Sequence, residues 1–271
     1  MIAQAIESTL IQDGAGPVSW QEFFCAGKTQ PQLALQLLPF AATERTTQIL
    51  LDQYNGALDR ELAEIEKLTG KNTKRLRFNR LKENAKLGKH LVQPFHVVLA
   101  GASNAGKSSL FNAILGFQRS IVNILAGTTR DVVSCQTALD GFPVIFYDTA
   151  GFRETPHELE QQGIERSRLS IANADLIVWV IDLTVPQSEQ PNIPVLENIL
   201  ICFNKADVIN SINPTNQEKQ TKSEITGKNR ITVSATTGQG LEILLEHIIR
   251  RLIPNPPKPF EAVPLVEWEI R

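Results

Sequence analysis

Eight residues constrain this chain more than any others. Gly101-Ala-Ser-Asn104-Ala105-Gly106-Lys107-Ser108 sits between a largely apolar run, Phe95 to Ala100, and an amphipathic stretch carrying Leu110, Phe111, Ile114 and Leu115. A run apolar at almost every position suits a strand buried on both faces of a parallel sheet. A Gly-rich loop between such a strand and a helix is the P-loop pattern. The glycines let successive backbone N–H groups turn inward, and the helix amino terminus adds partial positive charge. In such a loop Lys107 reaches the β- and γ-phosphates and Ser108 ligates Mg²⁺, while Asn104, Ala105, Gly106 and Ser109 complete the cradle.

The texture after the P-loop predicts an α/β domain. Val132 to Leu139 and Phe142 to Tyr147 flank Asp140-Gly141, a strong hairpin signal. Further strands are expected at Leu176–Ile181, Ile199–Phe203 and Ile231–Val233, with helices near Glu158–Ala172 and Leu241–Leu252. Alternation of this kind implies three layers and a mostly parallel sheet with one antiparallel hairpin. Pro186–Pro194 and Asn210–Asn229 read as irregular, and no internal repeat is visible.

Three more motifs fall at strand carboxyl ends, where open α/β sheets bind ligands. Asp148-Thr-Ala-Gly151 ends the second hairpin strand; its carboxylate suits Mg²⁺ through water, and the Gly151 N–H suits a γ-phosphate. Asn204-Lys205-Ala-Asp207 follows Ile199–Phe203, and Ser234-Ala235-Thr236 follows Ile231–Val233. A carboxylate at Asp207 can accept both hydrogen bonds from guanine N1 and N2, a donor pair that adenine lacks. Each tetrapeptide alone is weak, since Asn and Asp suit turns anyway. Four elements in this order point to GTP or GDP.

Residues 1–91 read as a helical segment. Ile49, Leu50, Tyr54, Leu58, Leu62 and Ile65 form one apolar stripe, expected on a single helix that Pro39 separates from a shorter one. Lys71, Lys74, Arg75, Arg77, Arg80, Lys82, Lys86 and Lys89 stand against one acid, Glu83, so this stretch is either a solvated helix face or an RNA-facing patch. With 27 basic and 29 acidic residues the whole chain is formally −2, and no global field recruits a polyanion. The apolar run Leu176–Ile181 is far too short to span a membrane, and the amino terminus lacks a signal-peptide pattern. The three cysteines, Cys25, Cys135 and Cys202, show no metal-ligand spacing. The expectation is a cytoplasmic protein in three parts: helical 1–91, G domain 92–253, and a Pro-rich tail 254–271.

The motifs resemble those of the bacterial tRNA-modification GTPase family (TrmE/MnmE). The resemblance rests on Ala126-Gly-Thr-Thr129-Arg-Asp131, Asp148-Thr-Ala-Gly-Phe-Arg153 and Gly163-Ile-Glu-Arg166. Upstream, Phe23 to Lys28 and Asn55-Gly56-Ala57-Leu58 are similar to the start of the family's helical domain. It implies a Ras-like P-loop GTPase domain preceded by a smaller α-helical segment. It also implies Thr129 as the switch-I ligand of Mg²⁺, Asn104 as a potassium ligand, Glu160 as the residue orienting the attacking water, and Arg153 as a switch-II arginine. Phe152 stands where Ras-like proteins place a water-orienting Gln, so another group must do that work. Read without the family, Glu160 is equally well a helix-start charge.

Two departures shape the expected function. Only about twenty residues precede the helical segment where the family has a folate-binding domain, and no cysteine follows Cys202 where the family has a terminal Cys motif. The expected protein is therefore a potassium-stimulated GTPase switch that does not modify tRNA on its own. The expected partners are a second copy, pairing G domains as a homodimer, and tRNA, rRNA or a modification enzyme, with no membrane. The alternatives are an RNA- or ribosome-associated assembly GTPase and a nucleotide-binding scaffold with little turnover.

Overall fold

The computed structural model describes residues 29–117, 123–126, 133–148, 174–186, 197–212 and 230–265. The chain divides into two compact units, one from Val92 to Pro256 and one holding the preceding helices together with residues from Pro257 onward.

In the first unit, seven strands form one sheet: β1 (Phe95–Gly101), β2 (Asn123–Ala126), β3 (Val133–Leu139), β4 (Phe142–Asp148), β5 (Leu176–Asp182), β6 (Ile199–Asn204) and β7 (Arg230–Thr232). Their spatial order is β2-β3-β4-β1-β5-β6-β7. β1 pairs in parallel with β4 on one side and β5 on the other, and β6 and β7 continue in parallel. The β3–β4 hairpin turns at Asp140 and Gly141 with φ of 46° and 73°, as Asp-Gly predicts. β2 adds an edge strand antiparallel to β3 that the sequence did not announce.

Val97, Val98 and Leu99 of β1 are fully buried, which explains the apolar run. α5 (Lys107–Phe117) buries Leu110, Phe111 and Ile114, and α7 (Leu241–Leu252) buries Leu241, Leu244, Leu245 and Ile248. These two helices pack against each other, α5 also on β1 and β4, and α7 on β5. α6 (Ala206–Ile212) is a short helix after β6. The helix expected at Glu158–Ala172 lies outside the described residues.

The second unit contains α1 (Gln30–Leu37), α2 (Glu44–Tyr54), α3 (Ala57–Lys67) and α4 (Lys71–Gly88). Pro39 falls in a 3-10 turn, Leu38–Phe40, between α1 and α2. The single helix expected over Ile49–Ile65 is in fact two. Gly56, at φ 81°, takes a left-handed conformation that ends one helix and opens the next, while the apolar stripe continues on both sides.

The separate tail expected from residue 254 is also corrected. Residues 257–265 form a strap over the helices, held by side chains that meet its backbone. Phe260 N–H donates to Asp52 at 2.9 Å, and Val263 N–H to Gln53 Oε1 at 3.0 Å. Gln53 Nε2 returns a bond to Glu261 O at 3.0 Å, and Asn84 Nδ2 donates to Ala262 O at 2.8 Å. Within the strap Glu261 N–H donates to Lys258 O at 3.1 Å, and buried polar side chains on α2 and α4 pair further backbone groups of this Pro-rich segment.

Candidate nucleotide site

The parallel pairing brings the predicted motifs to one sheet edge. Register sets Leu99 beside Asp148, Gly101 beside Val180, Asp182 beside Asn204, and Phe203 beside Thr232. The strands on either side of β1 lead away in opposite directions, so β1 ends at a topological switch point with the P-loop at its carboxyl end.

The loop has the conformation a phosphate cradle needs. Asn104 (φ 63°) and Gly106 (φ 88°) both lie in the left-handed region, which turns neighbouring N–H groups toward one centre. A Cβ on Gly106 would stand 2.3 Å from Asn204 Nδ2, so the position is closed to every other residue. Lys107 is buried, and its ammonium donates to Gly101 O at 3.3 Å and Ala102 O at 2.8 Å. The loop's own carbonyls thus satisfy the charge that phosphate oxygens would take over. Ser108 and Ser109 are exposed at the start of α5, and Asp148 is buried at the end of β4. A hydroxyl and a carboxylate are hard oxygen donors that fit magnesium.

Asn204 joins the loop to the rest of the site. Only 1% exposed, its Nδ2 donates to Ala105 O at 3.1 Å, with Gly106 O at 3.4 Å, and its Oδ1 accepts from Ala235 N–H at 3.1 Å. One amide therefore spans phosphate loop, β6 and the loop after β7. Asp207 accepts from Ser234 Oγ at 2.7 Å, and Ser234 Oγ accepts from Thr237 N–H at 3.1 Å. This fixes the carboxylate expected to read guanine. Thr236 is exposed beside it.

Lys205 (φ 67°) sends its ammonium to Asp182 Oδ2 at 2.5 Å. Burial works against the Asp182 charge, but Lys205 and the two bonds from Thr184 outweigh it and hold the carboxyl below its ordinary range. Sequence reasoning missed Asp182 and Thr184. Their signal was an Asp-x-Thr turn directly after the apolar run of β5.

Thr129, Gly151, Arg153 and Glu160 lie outside the described residues. Cys135 and Cys202 are unpaired and buried, as expected of strand cysteines, and burial pushes the Cys202 thiol up to about 12. Among the described residues no helix is long and apolar enough to cross a membrane.

Residues 96–214 match the model of the 50S ribosome-binding GTPase family. The chain is 37% identical over 187 residues to the tRNA modification GTPase MnmE of Psychrobacter cryohalolentis, covering 64% of this chain and 39% of that one. The MnmE of Pseudomonas aeruginosa is 37% identical over 183 residues, with the same coverage. The chain thus spans about two fifths of the length of these relatives. Among solved structures, the G domain of the T. maritima FeoB iron transporter is 24% identical, covering 59% of this chain and 99% of that one, with a TM-score of 0.38. The chain thus carries a P-loop GTPase fold and is similar over 187 residues to tRNA modification GTPases.

Proposed function

We propose that this GTPase homologue is a potassium-stimulated switch that hydrolyses GTP to GDP and phosphate, and whose nucleotide state acts on another molecule. The observation that carries the reading is the Asn204 amide, which ties the phosphate loop to the Ser234–Thr236 loop in one bonded unit. Phosphate and base elements are thereby pre-assembled, which lowers the ordering cost of binding. Lys107 would exchange its loop carbonyls for β- and γ-phosphate oxygens. Asp207 would accept from the guanine edge.

Magnesium, when bound, offsets charge between the phosphates. Ser108, Thr129 and, through water, Asp148 are the residues that would hold it. Asn104, exposed in the loop, is the residue we assign to potassium. Glu160 and Arg153 take the water-orienting and switch-II roles that the resemblance implies. Pairing of two G domains would close the ion site. A cytoplasmic setting belongs to the same reading, as do two buried thiols that stay unpaired. Those two thiols are poor nucleophiles where they lie.

The test is GTP turnover in potassium against sodium at high protein concentration. Faster turnover in potassium, equalised by Asn104→Ala, is expected. Glu160→Ala should lower turnover at unchanged GTP affinity, the mark of an interaction made only in the transition state. Equal rates in both salts would count against the potassium assignment.

A second reading adds an RNA partner, and α4 favours it. At 3.6 residues per turn Lys71, Arg75, Lys82 and Lys86 fall within a sector of about 60°, spread along roughly 23 Å of axis, and Lys89 follows in a 3-10 turn. All five are exposed, and none pairs with a carboxylate among the described residues. Arg77 and Arg80, off this stripe, are instead paired with Glu61 and Glu261. A one-sign stripe of this length suits a phosphate backbone. Replacing Lys71, Arg75 and Lys82 by Gln should weaken RNA binding and flatten its salt dependence by roughly one unit of slope per lost contact. RNA binding unchanged by all three would dismiss this reading.

A further inference from the structure

Asp182 divides its carboxylate between two tasks. Oδ1 accepts from the Thr184 backbone N–H at 2.8 Å and from the Thr184 hydroxyl at 2.7 Å, while Oδ2 faces Lys205 Nζ at 2.5 Å. Thr184 thus fixes the orientation of the carboxylate before Lys205 meets it. The backbone is tied as well, since Leu183 N–H donates to Asn204 O at 3.1 Å.

Lys205 holds a left-handed φ of 67°, uncommon for a residue with a long side chain. Its stem runs past the P-loop, with Cε 4.0 Å from the place a Gly106 Cβ would occupy, and ends at Asp182. One side chain therefore starts beside Asp207, passes the phosphate loop and is anchored on β5. An exposed lysine–carboxylate pair contributes little. Here the Asp182 side chain is 13% exposed and held by two further bonds, so the lysine is kept in one conformation.

We propose that Asp182, oriented by Thr184, is a positioning residue that pins the Lys205 stem as a preformed wall of the base pocket, so that nucleotide retention depends on it and the hydrolytic step does not. The inference rests on reading the site as a guanine-nucleotide site. A lysine already ordered loses no rotamer freedom when the base arrives, and that saving appears in affinity. The Asp182 carboxylate bonds to Thr184 and Lys205, so groups binding only at the phosphate loop should be indifferent to its loss.

The experiment measures dissociation of a fluorescent GDP from the full chain. Asp182→Ala should speed it about tenfold, the effect of one charge-assisted bond. The rate of GTP cleavage in a single turnover and competition by inorganic triphosphate should stay unchanged. Thr184→Val should give a smaller effect in the same direction, and Asp182→Asn, which keeps an acceptor, should restore part of the loss. In a Lys205→Met chain, Asp182→Ala should add nothing further. If Asp182→Ala does not fold, Asp182→Asn and Thr184→Val carry the test by the same readouts. Unchanged GDP dissociation, an equal effect in the Lys205→Met chain, or a parallel fall in the single-turnover cleavage rate would overturn the proposal while leaving the nucleotide site standing. A chain that binds no GDP before any substitution would overturn both.

Discussion

Ser234 donates its hydroxyl hydrogen to Asp207 at 2.7 Å, across 27 residues of sequence, and so holds the carboxylate at the base end of the site in one orientation. Asp207→Asn should therefore lose guanine preference and gain xanthine preference, because an amide offers a donor where the carboxylate only accepts. Losing a pair of charge-assisted bonds should weaken GTP binding on the order of a hundredfold, about 2–4 kcal/mol. Competition between GTP and XTP for both chains measures it. Undiminished GTP affinity in the variant would speak against Asp207 as the base reader.

Gly106→Ala should abolish nucleotide binding without unfolding the sheet. The added Cβ meets Asn204 Nδ2 at 2.3 Å, and φ is 88°. Asn204→Ala removes the amide that joins both loops and should cost about 1–3 kcal/mol of stability, since buried Ala105 O and half-buried Ala235 N–H lose their bonds. Titration with GDP beside thermal unfolding separates the two effects.

The site was legible in the sequence where a motif is short and contiguous. The P-loop, Asp148, Asn204–Asp207 and Ser234–Thr236 each sit at a strand end, and the strands themselves announce where those ends are. Bonds between distant segments leave no such signature. Nothing local told that Gln53 and Asp52 would hold the backbone of residues 260–263, some 208 positions away. Gly56 interrupts the helix, yet the apolar stripe runs through it, and periodicity does not register a left-handed turn that keeps the stripe in phase. The edge strand β2 was missed because four residues give too little alternation to be seen.

Glu261 ties the strap to α4. Burial works against its charge, but Arg80, the Lys258 N–H and Asn84 outweigh that and hold its carboxyl below the ordinary value of 4.5. The pair with Arg80 is a two-point contact, Nε to Oε1 at 2.5 Å and Nη2 to Oε2 at 3.1 Å. A depressed folded pKa means the stabilisation is complete above the ordinary value and is lost as pH falls through the lowered one. Glu261→Gln should cost about 1–2 kcal/mol near pH 7, discounted for partial exposure. The difference between the two chains should shrink steadily as pH drops below 4.5. Denaturant unfolding at neutral pH and near pH 3 tests this; a gap that stays constant would remove Glu261 from the account.

Phosphate release from GTP and from ATP, with magnesium and potassium present, tests the central claim most directly. The account predicts steady release from GTP, none above background from ATP, and loss of the GTP signal in Lys107→Ala, whose ammonium is held over the loop carbonyls of Gly101 and Ala102. Equal release from both nucleotides, or release undiminished in Lys107→Ala, would contradict it.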